Sequence, residues 1–201
     1  MRKLGIGFAV VLGWAFASFL TTAQTALGQE PSGAKERHCV VRIEPVEKFG
    51  QASKMGEMAC FDTVAEAVYY SSGGRTQLPA STQASQITPQ MVNSPQAILI
   101  GIDYMGTNYT GSSLQWTAPS GCFYNGGSPS YNAASMPFGW DNVISSAQSF
   151  SGCRAILYYD LPGPSGLSMV TGCLATSLSF MDNRTSAHQW SDQRYGQFCN
   201  F

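Results

Sequence analysis

Charge is scarce in this chain. Only 11% of its 201 residues are Asp, Glu, Lys or Arg, with 11 basic residues against 12 acidic ones. Nucleic-acid binding needs a basic face that displaces counterions, so that partner is excluded. Histidine is scarcer still, with only His38 and His188. No pair of histidines at helical spacing could hold a catalytic zinc, and there is no serine nucleophile elbow. His38 and His188 read as surface or packing residues, so the expectation is a protein without enzymatic activity. Long apolar runs are missing after residue 20, which predicts no membrane partner once the N-terminal run is removed.

That run is the first feature present. Residues 1–28 open with Arg2 and Lys3, continue apolar from Leu4 to Leu20 and end in Ala26-Leu27-Gly28, the pattern of a secretory signal peptide. Its loss takes Lys+Arg from 11 to 9 against 12 acids, a net charge of −3. All six cysteines, at 39, 60, 122, 153, 173 and 199, lie in the exported part. An even count in an oxidising compartment predicts three disulfides and an extracellular protein. Fifteen pairings are open; the expectation is the sequential set Cys39–Cys60, Cys122–Cys153 and Cys173–Cys199.

Seven of the twelve acids fall before residue 70, whereas the C-terminal part is rich in Gly, Ser, Tyr and Asn, as short strands and tight turns require. Residues 29–78 read as a small strand-helix-strand unit. Cys39-Val40-Val41-Arg42-Ile43 alternates as a strand, and Thr63 with Glu66 forms a capping box ahead of a helix that Gly73-Gly74 ends. Residues 79–96, with Pro79, Pro89 and Pro95, lack periodicity of either kind and read as a linker or surface crossover.

From residue 97 to 201 the sequence repeats itself. The strand Ala97 to Tyr104 has its counterpart in Ala155 to Tyr159, and Tyr104, Gly111 and Ser113 align with Tyr159, Gly166 and Ser168 at an offset of 55 residues. Asp141-Asn142-Val143-Ile144-Ser145-Ser146 and Asp182-Asn183-Arg184-Thr185-Ser186-Ala187 follow, at an offset of 41. Oxygen-bearing side chains bunched twice in a charge-poor region suit a hard cation such as calcium, Ca2+.

These residues resemble the βγ-crystallin family. Tyr104 to Ser113 is similar to that family's aromatic-x4-aromatic-x-Gly-x-Ser hairpin, and Tyr159 to Ser168 matches it except that Pro164 replaces the second aromatic. Asp141 to Ser146 satisfies the family's calcium pattern, Asn/Asp-Asn/Asp-x-x-Ser/Thr-Ser, at every position; the second copy departs at Ala187. The resemblance implies a mainly β fold, a double Greek-key βγ-crystallin-like sandwich over 97–201, preceded by a small α+β segment. It also implies two calcium ions shared between the paired loops. Carried over by position, the ligands are Asp141, Val143 and Ser145 with Asp182, Arg184 and Ser186, the third residue of each triplet motif offering its carbonyl. Met105 and Asp160 are the implied hairpin carbonyl donors, and Asn142 and Asn183 hold the loops.

A second reading is a secreted inhibitor of metalloproteinases on the same fold. Its partner would be a secreted protease, entered by a rigid loop over Asn125 to Met136 held by Cys122. Trp116, Trp140 and Trp190 read as core packing rather than as a sugar platform. Two sequons, at Asn108 and Asn183, would place a glycan beside the second loop if used.

Overall fold

The computed structural model describes residues 35–47, 51–122, 130–159 and 167–192. Its strands are β1 (His38–Arg42), β2 (Ala59–Phe61), β3 (Ile98–Tyr104), β4 (Ser113–Ala118), β5 (Tyr131–Ala133), β6 (Ser146–Ser149), β7 (Cys153–Tyr159), β8 (Ser168–Val170), β9 (Leu174–Ala175) and β10 (Thr185–Asp192). Helices α1 (Val64–Ser71) and α2 (Pro89–Val92) lie between β2 and β3.

The strands form two sheets, ordered β2-β1-β4-β3-β6-β9 and β5-β10-β7-β8. Each sequence repeat sends one strand across. From the first repeat, β3, β4 and β6 stay in the larger sheet while β5 pairs with β10; from the second, β9 leaves to pair with β6. This mutual exchange is the double Greek key expected from the repeats, and it locks each half into the other's sheet.

Between the sheets lies a core that includes Ile100, Leu114, Trp116, Tyr131, Trp140, Ile144, Leu157, Leu178 and Trp190. Trp116, Trp140 and Trp190 are buried, as core packing requires. The larger sheet has a second core on its outer face, where Val64, Val68, Ala84, Ile87 and Val92 cover Leu99, Ile102, Tyr104 and Phe150. Consequently β4 is buried at every position, whereas β7 alternates between buried and half-buried until its exposed end. The alternation is what a sheet with one wet face shows, and its loss in β4 marks a sheet covered twice.

The N-terminal segment joins this architecture directly. β1 runs parallel to β4, from His38 opposite Ser113 to Arg42 opposite Thr117, and antiparallel to β2. The expected strand-helix-strand order is corrected to strand-strand-helix: Cys60 faces Cys39 across the β1–β2 pair and is disulfide-bonded to it, which draws Ala59–Phe61 into the sheet before the helix begins. Thr63 then caps α1 through the capping box its spacing announced, an arrangement worth about 1 kcal/mol. Cys122–Cys153 forms the second disulfide; Cys173 is also disulfide-bonded, and Cys199 lies outside the described residues.

Candidate metal centre

The two oxygen-rich loops are the turns that enter β6 and β10. In each, the chain reverses at the second residue, and that residue has left-handed backbone: φ is 58° at Asn142 and 53° at Asn183. Asparagine tolerates this region better than any other side chain that could also lend an oxygen. The sequence places it at the same position of both turns.

The loops then clasp each other. The Asn142 N–H donates to the Thr185 carbonyl at 3.0 Å, and the Asn183 N–H donates to the Ile144 carbonyl at 2.9 Å. Side chains repeat the exchange: Ser186 Oγ donates to Asn142 Oδ1 at 3.2 Å, and Ser145 Oγ lies 3.5 Å from Asn183 Oδ1. The preceding segments cross as well, Met136 N–H bonding the Ser186 carbonyl and Leu178 N–H the Ser145 carbonyl. The clasp is reciprocal at Asn142 and Asn183 and at Ser145 and Ser186, which exchange partners between the two repeats. Asn142 and Asn183 therefore hold the turns, as the resemblance implied.

The implied ligands occupy distinct settings. Asp141 is exposed, and its Oδ2 accepts from its neighbour Asn142 at 3.2 Å. Asp182 is half-buried, and its Oδ1 is shielded from solvent with no hydrogen-bond partner. A shielded carboxylate oxygen without a donor is costly unless a cation or a proton satisfies it. Val143 is half-buried and Arg184 exposed, so the third position of the turn is indifferent to its side chain. Ser145 is buried and Ser186 half-buried at the seam between the loops. No group of three or more His, Cys, Asp or Glu converges among the described residues. The donor set is two carboxylates with neutral oxygens, a composition that suits calcium and not a softer metal.

The first hairpin is tied to the first loop. Ser145 N–H donates to the Tyr104 carbonyl at 2.8 Å, Ser146 Oγ donates to the Gly106 carbonyl at 2.6 Å, and Tyr109 N–H donates to Ser146 Oγ at 3.0 Å. Met105 thus sits between two residues whose carbonyls the loop already uses. The rings of Tyr104 and Tyr109 touch, with centroids 5.5 Å apart. Gly106 cannot be replaced without opening the hairpin, since a Cβ there would lie 2.3 Å from Thr110 Oγ1 and 2.8 Å from the Thr110 carbonyl. Asp160 lies outside the described residues. The role of Ser146 as a strut was not anticipated; its signal was a serine at the first position of a strand, beside a hairpin in need of an anchor.

His188 is a packing residue. It is 1% exposed, stacks on Trp190 with centroids 3.8 Å apart, and its Nδ1 lies 3.2 Å from Asp103 Oδ2, which also accepts from Trp116 Nε1 at 2.7 Å. This buried polar knot joins the two sheets through β3, β4 and β10. His38 is buried too, with Nδ1 3.0 Å from Ser113 Oγ, and burial pushes its pKa below the ordinary value of 6.5. Of the loop Asn125 to Met136 expected to enter a protease, residues 125–129 lie outside the described residues and Ser130 to Ala133 are buried, three of them in β5.

No family model matches the chain, and no curated protein matches it. Solved structures that it resembles are βγ-crystallin domains. The N-terminal domain of protein S is 18% identical and covers 46% of this chain and 96% of its own length, with a TM-score of 0.35. A βγ-crystallin domain from Flavobacterium johnsoniae is 20% identical over 48% of this chain and 99% of its own, at 0.35. A βγ-crystallin from an archaeon is 20% identical over 45% and 95%, at 0.31.

Proposed function

We propose that this chain is a secreted, non-enzymatic calcium-binding protein whose clasped loops hold Ca2+ and couple that binding to the stability of the double Greek key. The observation that carries the reading is the reciprocal clasp together with the unpartnered Oδ1 of Asp182: the two loops are hydrogen-bonded to each other beside a half-buried carboxylate oxygen that has no donor. Asp141 and Asp182 supply the charge, Ser145 and Ser186 neutral oxygens at the seam, and Val143 and Arg184 their main-chain carbonyls. Met105 and Asp160 would complete the set from the hairpins. Export is supported by the leader pattern and by the disulfides Cys39–Cys60 and Cys122–Cys153, which persist in oxidising compartments. Among the described residues, no helix is long and apolar enough to cross a membrane.

With one aspartate per loop, the affinity belongs in the ~10⁻⁶–10⁻³ M span of sensor and extracellular sites. At a calcium concentration about 100 times the dissociation constant, linkage adds roughly 2.7 kcal/mol to folding stability. For a chain of this size that raises the melting temperature by about 5–10 °C. Calorimetric titration with calcium, beside melts in chelator and in calcium, tests the proposal; Asp141→Ala and Asp182→Ala should each weaken the heat of binding. A protein that gives no heat and melts identically with and without calcium is not a calcium-binding protein.

A further inference from the structure

Helix α1 has a face that the fold does not use. Val64, Ala67 and Val68 turn inward and are buried, whereas Glu66, Tyr69 and Tyr70 stay exposed, Tyr69 at 47% and Tyr70 at 54%. A lone tyrosine in solvent is ordinary. These two line one open cavity of about 770 Å³, together with Glu66, with Phe61 of β2 and with Leu78 from the segment that follows the helix. That size and that aromatic lining are those of a small-ligand site.

The fold fixes the walls. Phe61 leans on Tyr70, with ring centroids 5.2 Å apart and planes tilted by 44°. Gly74, at a φ of 79°, donates its N–H to the Tyr69 carbonyl at 2.8 Å and leaves room for that ring, since a Cβ there would lie 3.3 Å from the Tyr69 hydroxyl. Glu66 stands one helical turn before Tyr70, and its Oε2 accepts from the Thr63 N–H at 3.1 Å and from the Thr63 hydroxyl at 3.0 Å. The capping box thereby holds a carboxylate at an aromatic cavity. Among the described residues, no other charged side chain lines it.

We propose that this cavity binds a small organic cation, an ammonium whose nitrogen carries alkyl groups, with Phe61, Tyr69 and Tyr70 against the alkylated head and Glu66 as its counter-charge. The site shares no residue with the clasped loops and does not depend on the calcium reading. Charge complementarity selects the occupant. A hard metal ion needs six or more oxygens, and this lining offers one carboxylate. An anion is repelled by Glu66, and a neutral apolar molecule gains nothing from a carboxylate that it would leave unpaired. Aromatic rings attract a cation through the negative potential of their faces, and quaternary ammonium ions are the cations such rings hold best.

The test is NMR titration of the protein, in chelator, with choline and with 3,3-dimethylbutan-1-ol, which has the same shape with carbon in place of the charged nitrogen. Glu66→Gln, Tyr70→Leu and Tyr70→Phe variants are run beside it. Glutamine preserves a capping box and Tyr70 is more than half exposed, so all three should melt with the parent protein. The expected result is saturable choline binding that shifts the Tyr69 and Tyr70 ring signals, with the neutral isostere weaker by about fivefold or more. Glu66→Gln and Tyr70→Leu should each lower choline affinity by about two- to fivefold while leaving the isostere nearly unchanged, and Tyr70→Phe should retain the parent's affinity. Equal affinity for the two compounds overturns the inference and makes the cavity a plain apolar site. Absence of choline binding overturns it as well, as does binding that survives both Glu66→Gln and Tyr70→Leu. Should Tyr70→Leu fail to fold, Glu66→Gln and the neutral isostere decide the matter without it.

Discussion

The two clasped loops share a left-handed second residue and differ in what stands behind it. In the first, the sixth residue is Ser146, whose hydroxyl bridges the Gly106 carbonyl and the Tyr109 N–H and so anchors its hairpin. In the second, that residue is Ala187, fully buried and without a hydroxyl to give. Yet the second loop holds the carboxylate with a shielded, unpartnered oxygen, while Asp141 of the first is open to water. A motif position that reads in the sequence as one more oxygen donor thus belongs to the scaffold. The departure at Ala187 subtracts a strut rather than a ligand.

Removing the strut should give the largest effect. Ser146→Ala strands a carbonyl and an N–H at a part-buried site and should cost about 2 kcal/mol in chemical denaturation, in calcium and in chelator alike. A loss that appears only in calcium would return Ser146 to the ligand set. Asn142→Ala and Asn183→Ala place a Cβ-bearing residue without a local hydrogen bond at φ of 58° and 53°, for about 1–2 kcal/mol each. Asn→Gly at the same positions should recover most of that stability, and equal damage from Gly and Ala would mean that the side-chain clasp, not the backbone, is what matters. Aspartate to asparagine sharpens the contrast between the loops. In chelator, Asp182→Asn should be neutral or stabilising by about 1 kcal/mol because it relieves a shielded carboxylate, whereas Asp141→Asn should change nothing. In calcium both should lower the affinity, Asp182→Asn the more.

The smallest effect is a background against which these variants must be compared. His38 is buried and its pKa is depressed, so the unfolded chain binds a proton that the folded one resists. Its contribution to stability is whole above the unfolded value and declines as pH falls below about 6.5 toward the folded pKa. His38→Gln should flatten that decline, visible as a shallower drop in melting temperature below pH 6.5.

Features written into a few adjacent residues were legible in the sequence. The capping box at Thr63 and Glu66, the apolar run that became β3 and the clustering of oxygens in two turns each depend on neighbours in the chain. The pairing of the turns was readable only because the pattern occurs twice in the same order. What stayed hidden depends on residues far apart. Nothing in Cys39 to Ile43 states that β1 lies parallel to β4, and nothing near His188 names Asp103 as its partner 85 residues away. A clue did exist, since an acid within Ile100-Gly101-Ile102-Asp103-Tyr104 demands a buried donor and only a distant one could reach it.

That parallel first strand also sets an order of events. His38 meets Ser113 only after 75 further residues have been made, whereas Cys39 can close on Cys60 across 21. An emerging chain can therefore complete the β1–β2 hairpin early and must carry the other edge of β1 bare until β4 arrives. Until then this waiting edge is the stretch most open to capture by another chain, and a chaperone that shields residues 38–42 would guard the whole fold.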